Sequence, residues 1–318
     1  MARHPGETRR RRVTGRATVR VVFLGNHTVG VTALQALLSC GAEVSAVVAH
    51  PEDEEDGVRY ASVYDFARRR NLNTARLAGS DAGLETFIAN ARPDLIWITD
   101  YRYLVGDAVI ALAPAGAVNL HPSLLPRYRG RAPINWAIIN GETRLGLTAH
   151  FVDDGMDSGD IIEQVGFYLE RDEDVGVALE RLIPLYDRMS RSVFGAFLTG
   201  KVVRAPQDHS LATVYPRRTP EDGVIDWAQD AERVRDFVRA LARPYPGAFA
   251  FLRGERCSIW RATAAYSDAG NAPAAAPGTV ISADRDGFRV QAGEGCVDVS
   301  EFSPANCRPQ PGDRLAMS

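Results

Sequence analysis

Apolar and polar positions fall into short blocks with two different periods. Residues 19–24 are a β-rich apolar run that stops at Gly25, 31–38 carry apolar side chains at helical spacing, and 43–49 are a second β-rich run. Strand, helix and strand at this spacing predict a parallel, doubly wound sheet. Runs at 94–99 and 117–121 continue the series, with helices predicted at 63–70 and 83–91. Two further strands are predicted at 146–153 and 160–169, joined by a loop of acids and glycines. Residues 175–197 then read as a long helix with Leu179, Leu182, Ile183, Tyr186 and Met189 on its core face and Pro184 as a kink. Beyond residue 204 the pattern changes. Residues 205–208 read as a linker, and Val234, Phe237, Val238 and Leu241 mark one amphipathic helix. Short β-like runs with glycine turns follow at 249–252, 257–262, 278–281, 287–291 and 296–299, as in a small barrel or open sheet. The expected fold class is α/β: a Rossmann-like, mostly parallel sheet followed by a smaller, β-rich, OB-like domain. The expected divisions are a disordered basic tail at 1–18, a catalytic domain at 19–204 and the β-rich domain at 205–318.

Composition narrows the function classes. The chain has 318 residues, 45% hydrophobic and 24% charged, as a globular protein of two ordinary domains has. No apolar run approaches the roughly 20 residues of a membrane span. The arginines at 9–12 are followed by a segment too polar for an export signal, so they are expected to form a solvated tail. Net charge is −3 and the pI about 6.1, so no global field draws nucleic acid or anionic membrane. The four cysteines lack CxxC spacing, which argues against zinc or a redox dithiol and fits a reducing cytoplasm; no metal is expected. Lys201 is the sole lysine, which leaves Schiff-base chemistry one candidate. Its frame, Gly195 to Gly200-Lys201, has P-loop spacing, but Val202 replaces the magnesium-binding hydroxyl and the segment closes a helix. A helix C-terminus is expected there. The turn after the first strand lacks G-x-G-x-x-G, so no dinucleotide is inferred.

The chemistry is expected at the end of the fifth strand. Asn119 and His121 stand two apart on a strand and so project to the same side, before Pro122 breaks into a loop held by Pro126 and Gly130. A third polar candidate, Asp157, lies in Asp153-Asp154-Gly155-Met156-Asp157-Ser158-Gly159-Asp160. Each has a plain structural alternative: a strand-end histidine is often only a hydrogen-bonder, and Asp-Gly clusters are usually turns. The acids lack the EF-hand spacing and terminal glutamate, so calcium is not expected.

Asn119-x-His121-Pro-Ser123-Leu-Leu-Pro-x-Tyr-Arg129-Gly, the Asp-x-Gly-x-Asp-x-Gly-Asp loop and the intervening Ala132-Pro-Ile-Asn-Trp136 resemble the formyltransferases that use N10-formyltetrahydrofolate. Arg217 to Asp222, Ile225-Asp226-Trp227 and Val238 to Phe249 are similar to the second domain shared by methionyl-tRNA formyltransferase and amino-sugar N-formyltransferases. The likeness is greatest to the formyltransferase half of the bifunctional enzyme that modifies UDP-4-amino-4-deoxy-L-arabinose, and implies a stand-alone transferase. It implies Asn119, His121 and Asp157 as catalytic residues, with an amide and an imidazolium stabilising an oxyanion. It places the folate donor, released as tetrahydrofolate, near Tyr101, Arg102, Tyr103, Leu104, Asp153 and Gly155. It gives Asn26, His27, Ser123 and Arg129 to the acceptor, and is compatible with a homodimer. The acidic run at 52–56 stands where the tRNA enzymes carry a basic loop, which argues against tRNA. The expected acceptor is an amino sugar, nucleotide-linked; methionyl-tRNA formylation, formyltetrahydrofolate hydrolysis and folate or sugar binding without turnover are the alternatives.

Overall fold

A computed structural model of the chain describes residues 18–51, 60–79, 82–266, 275–304 and 307–317. Residues 1–17 of the basic tail, the acidic run and most of the Ala-rich loop at 268–277 lie outside them. The first half comprises β1 (Arg20–Gly25), α1 (His27–Ser39), β2 (Glu43–Ala49), α2 (Val63–Arg69), β3 (Thr74–Arg76), α3 (Ala82–Ala91), β4 (Leu95–Thr99), α4 (Asp107–Ile110) and β5 (Ala117–His121). There follow β6 (Arg129–Gly130), α5 (Pro133–Ile139), β7 (Arg144–Phe151), β8 (Ile161–Tyr168) and α6 (Val175–Thr199). The second half holds β9 (Val214–Tyr215), α7 (Ala231–Ala240), β10 (Ala248–Leu252), β11 (Glu255–Ala265), β12 (Val280–Ala283), β13 (Phe288–Gln291), β14 (Cys296–Ser303) and β15 (Leu315–Ala316).

Seven strands form one sheet in the order β3-β2-β1-β4-β5-β7-β8. The first five pair in parallel, whereas β7 runs antiparallel to both β5 and β8. The strand period of two divides the apolar residues between two cores. Val21, Phe23, Val47 and Trp97 face α1, α2 and α6, while Val22, Leu24, Val48, Ile96 and Ile98 face α3 and α4. With both faces covered, β4 is buried along its whole length and reads as a continuous apolar run. Helix α6 is capped by Asp174, whose side chain accepts from the Val177 amide at 3.2 Å. It passes through Pro184 and ends at Gly200 in the left-handed conformation, which fits the helix end read at Lys201.

The second domain is a six-stranded antiparallel sheet, β12-β13-β14-β11-β10-β15, packed on α7 around its own core. A bridge between Thr279 and Arg314 links its two edge strands. The chain between the domains docks on the first half: Ala205 bridges Ile161, and β9 pairs with β6. Asn135 of α5 is buried and donates to the Ala240 carbonyl at 2.8 Å, tying α5 to the end of α7. No helix among the described residues is long and apolar enough to cross a membrane.

Candidate active site

Strand order reverses between β1 and β4, and in open α/β sheets the crevice beyond that point is where ligands bind. Gly25 ends β1 because a side chain there would lie 2.3 Å from the Thr99 carbonyl oxygen. His27, opening α1, pairs with Asp100 just beyond β4 through Nδ1 and Oδ2 at 2.7 Å, and so spans the switch point. Among the described residues, five of the eight non-glycine positions with left-handed φ surround this region: His27, Asp100, Tyr128, Ala132 and Asp157. Backbone strain of this kind concentrates at functional sites.

Asn119 and His121, two apart on β5, both reach Asp157, which the acidic loop delivers to them. Asn119 Nδ2 donates to Asp157 Oδ1 at 3.4 Å, and His121 Nδ1 lies 3.7 Å from Asp157 Oδ2. Asp157 is anchored from behind, because Oδ2 accepts the Gly130 amide at 2.8 Å. Gly130 has φ +93, and an added Cβ would stand 2.4 Å from the Tyr215 carbonyl oxygen, so only glycine brings the amide this close.

Two residues complete the cluster that the motif did not reveal. His150 of β7 sits opposite Asn119, with Nε2 3.2 Å from Asn119 Nδ2 and 3.5 Å from Asp157 Oδ1. Its Nδ1 faces the Phe151 carbonyl at 2.8 Å, which places a proton on Nδ1. The available signal was the polar pair Thr148 and His150 on a strand that is otherwise apolar after its first residue, Arg144. Gln207, in the segment read as a linker, is buried and donates to the carbonyls of Asp157 and Gly159, both at 2.8 Å.

Three residues expected at the acceptor have internal partners instead. Arg129 is 7% exposed; its Nη2 donates to Gln207 Oε1 at 2.6 Å and lies 3.0 Å from His209 Nδ1. The buried Ser123 hydroxyl donates to the Arg127 carbonyl at 2.9 Å, and buried Asn26 Nδ2 lies 3.1 Å from His50 Nδ1. Burial directs these polar groups into the scaffold, where each needs a protein partner. Of the positions expected at the folate, Tyr101 is buried with its hydroxyl on the Leu77 carbonyl at 2.8 Å, while Leu104 is 76% exposed. Asp153 Oδ1 accepts from Ser158 Oγ at 2.7 Å and the Gly155 amide at 3.2 Å, shaping the acidic loop.

The electrostatics of the pair are asymmetric. Burial raises the Asp157 pKa, but His121, His150 and the Gly130 amide outweigh it and hold the carboxyl below the usual carboxylate range. Burial lowers the His121 pKa, and the opposing pull of Asp157 and of the Tyr128 carbonyl does not restore it. We place the charge on Asp157, held by the Gly130 amide and the Asn119 amide, and a neutral ring on His121; the attraction between a charged ring and the carboxylate acts only when the ring takes up a proton. His121 Nε2 lies 2.8 Å from the Tyr128 carbonyl, which only accepts, so Nε2 carries the proton and Nδ1 presents a lone pair toward Asp157. This departs from the imidazolium that the resemblance implied. The physical reason is the cost of charging a ring that is 5% exposed.

A pH dependence of stability follows. His50 is also held below the ordinary value of 6.5, chiefly by burial. Below pH 6.5 the unfolded chain binds protons at these two rings that the folded chain resists, so stability falls as pH drops toward their folded pKa values. The melting temperature is expected to decline over that window, and His50→Gln to flatten the decline; an unchanged slope in the variant contradicts the assignment.

The formyl transferase family matches residues 19–183, and its C-terminal domain matches residues 217–318. Among solved structures, WlaRD, a sugar 3N-formyl transferase determined with dTDP and 5-N-formyl-THF, has TM-score 0.68 at 16% identity, covering 89% of this chain and 97% of that one. The N-formyltransferase of Helicobacter canadensis, in complex with folinic acid and dTDP-3-aminofucose, has TM-score 0.68 at 15% identity, with 90% and 100% covered. Methionyl-tRNA formyltransferase of Clostridium thermocellum has TM-score 0.53 at 20% identity, with 77% and 93% covered. These likenesses are of fold, whereas the family matches run through both halves of the sequence, site included. The chain belongs to the formyl transferase family.

Proposed function

We propose that this enzyme transfers the formyl group of N10-formyltetrahydrofolate to the amine of a nucleotide-linked amino sugar. The observation that carries the reading is the convergence of Asn119, His121 and Asp157 at the carboxyl end of β5. A neutral amine attacks the formyl carbon and forms the new C–N bond. The bond from that carbon to N10 breaks, and the proton lost by the amine ends on N10. Asn119 donates to the oxyanion that develops on the formyl oxygen; one such donor is typically worth about 3 to 4 kcal/mol of barrier. The His121 lone pair beside the Asp157 carboxylate receives the amine proton and returns it to the leaving nitrogen.

Leu104 presents apolar surface of the kind a flat pterin covers, on a segment that leaves β4 next to β5. The amino-sugar reading draws support from the folate-type and dTDP ligands of WlaRD and the Helicobacter canadensis enzyme, which match this chain over nearly its whole length. The negative net charge adds to it, since a tRNA acceptor must be met by positive charge.

Purified protein supplied with formyltetrahydrofolate is expected to add one formyl mass to at least one member of a panel of nucleotide-linked amino sugars. Ready formylation of methionyl-tRNA with the whole panel untouched sinks the reading.

A further inference from the structure

Two main-chain groups of the motif loop orient the site. His121 Nε2 donates to the Tyr128 carbonyl at 2.8 Å, and Asp157 Oδ2 accepts the Gly130 amide at 2.8 Å. Tyr128 has φ +60, a left-handed conformation that a bulky residue keeps only where its surroundings hold it. The amides of this stretch show what holds it. Tyr128 donates to the Thr213 hydroxyl at 2.8 Å, Arg129 to the Thr213 carbonyl at 2.9 Å and Arg131 to the Tyr215 carbonyl at 3.0 Å. The remaining amide, of Gly130, turns to Asp157. The Tyr128 ring stacks on Tyr215, with centroids 5.1 Å apart and planes at 14°. The motif loop is thus clamped by Thr213 to Tyr215, and Thr213 lies 85 residues beyond Tyr128 in the chain.

Thr213 holds two consecutive peptide units. Its hydroxyl fixes the unit before Tyr128, and its carbonyl fixes the unit after. The second unit is a bridge: its N–H, from Arg129, points to Thr213, and its C=O, from Tyr128, points to His121. Hydrogen bonds in such a chain polarise one another, so the bond to Thr213 strengthens the carbonyl as an acceptor. A carbonyl held at Nε2 puts the ring proton there and leaves the Nδ1 lone pair facing Asp157. Together with Asp157, that carbonyl also favours a charged ring against the effect of burial.

We propose that Thr213 is a positioning residue for formyl transfer: by holding the amides of Tyr128 and Arg129 it keeps the Tyr128 carbonyl on His121, and so selects the ring nitrogen that takes up the amine proton. This rests on the role given to His121 and deepens it. Loss of the Thr213 hydroxyl leaves the Tyr128 amide without its acceptor and the left-handed turn without a tie. As the turn relaxes, the carbonyl leaves Nε2. The Asp157 carboxylate, 3.7 Å from Nδ1, then draws the ring proton to Nδ1, and the lone pair that would receive the amine proton is gone.

The test is nitrogen-15 NMR of the imidazole groups in the full-length protein, with the His121 signal identified as the one missing from His121→Asn, together with steady-state kinetics. Both are run on wild type, Thr213→Val, Thr213→Ala and Thr213→Ser at a pH well above 6.5, where the ring is neutral. Wild type is expected to show His121 with its proton on Nε2. Thr213→Val, which keeps the shape of the side chain, is expected to move the proton toward Nδ1 and to lower kcat about tenfold or more, with both KM values within twofold. Thr213→Ala carries the same test should the valine methyl disturb folding. Thr213→Ser restores the hydroxyl and is expected to recover both the ring signal and kcat. A wild-type ring protonated on Nδ1, a ring unchanged in the valine and alanine variants, or a loss of kcat that serine does not recover overturns the role. If the ring shifts in Thr213→Val while no amino sugar is formylated by wild type, the positioning role stands and the functional reading fails. If Thr213→Val formylates an amino sugar at the wild-type rate, the positioning role fails and the functional reading stands.

Discussion

Asp157→Asn is expected to lower kcat by about two orders of magnitude or more, and His121→Ala by as much, with donor binding largely kept. Asparagine preserves the size of the side chain and tolerates the left-handed backbone at this position, where φ is +50. Its carbonyl oxygen can still accept the Gly130 amide that now reaches Asp157 Oδ2 at 2.8 Å. The variant therefore removes the charge while leaving the fold intact. Without the carboxylate, His121 loses the one group that favours its protonated form from the site side, and the amine proton has a poorer acceptor. Single-turnover and steady-state kinetics separate the effects. Near-wild-type turnover in either variant refutes the roles given to these residues.

Gln207→Leu is the second large effect, expected to cost about 3 kcal/mol of stability and at least tenfold in kcat. The amide of Gln207 joins three buried groups. It donates to the Asp157 and Gly159 carbonyls at 2.8 Å, and Oε1 accepts from Arg129 Nη2 at 2.6 Å and Nε at 3.2 Å. Leucine fills the volume but leaves a guanidinium and two carbonyls inside the protein without those partners. Removing one partner of a buried charge is far more damaging than the pair's net worth, because the other charge stays buried. The cost in kcat has a separate origin: the Asp157 backbone is released from one side, and its carboxylate drifts from His121. Gln207→Glu discriminates the two effects, since it keeps an acceptor for Arg129 but turns an oxygen toward the Asp157 and Gly159 carbonyls. It should retain more stability than Gln207→Leu while losing comparable turnover. Denaturant midpoints and kcat are the readouts, and wild-type values for both in Gln207→Leu contradict the prediction.

Legibility from sequence followed the range of the forces involved. The strand at 117–121 could be read to the residue, because period-two alternation and a following proline are local signals. The parallel, doubly wound character of the first five strands followed from strand and helix spacing, whereas their order did not. The antiparallel turn of β7 and β8 did not, since pairing direction is set by contacts far apart in the chain. For the same reason His150 was hidden: its place opposite Asn119 depends on cross-strand register. The strands β3, β6, β9 and β15 have only two or three residues, too few to show a period. The first helix begins at His27, four residues before its apolar spacing becomes visible, because its first turn carries the polar His27 and Thr28. Within the motif loop, residue type did not reveal direction. Arg129 and Ser123 are polar and adjoin the site, yet tertiary burial turns both inward, while Arg131 stands at the rim. Gln207 lay in a stretch whose proline and polar residues resemble any linker, and only its buried contacts identify it.

The most direct test follows three products in one reaction of wild-type protein with formyltetrahydrofolate and an accepted amino sugar: tetrahydrofolate, sugar formamide and free formate. Tetrahydrofolate and formamide are expected to appear in equal amounts without formate, and Asp157→Asn to suppress both together. Formate released at the same rate with and without the amine would contradict it, making water the acceptor at Asn119, His121 and Asp157.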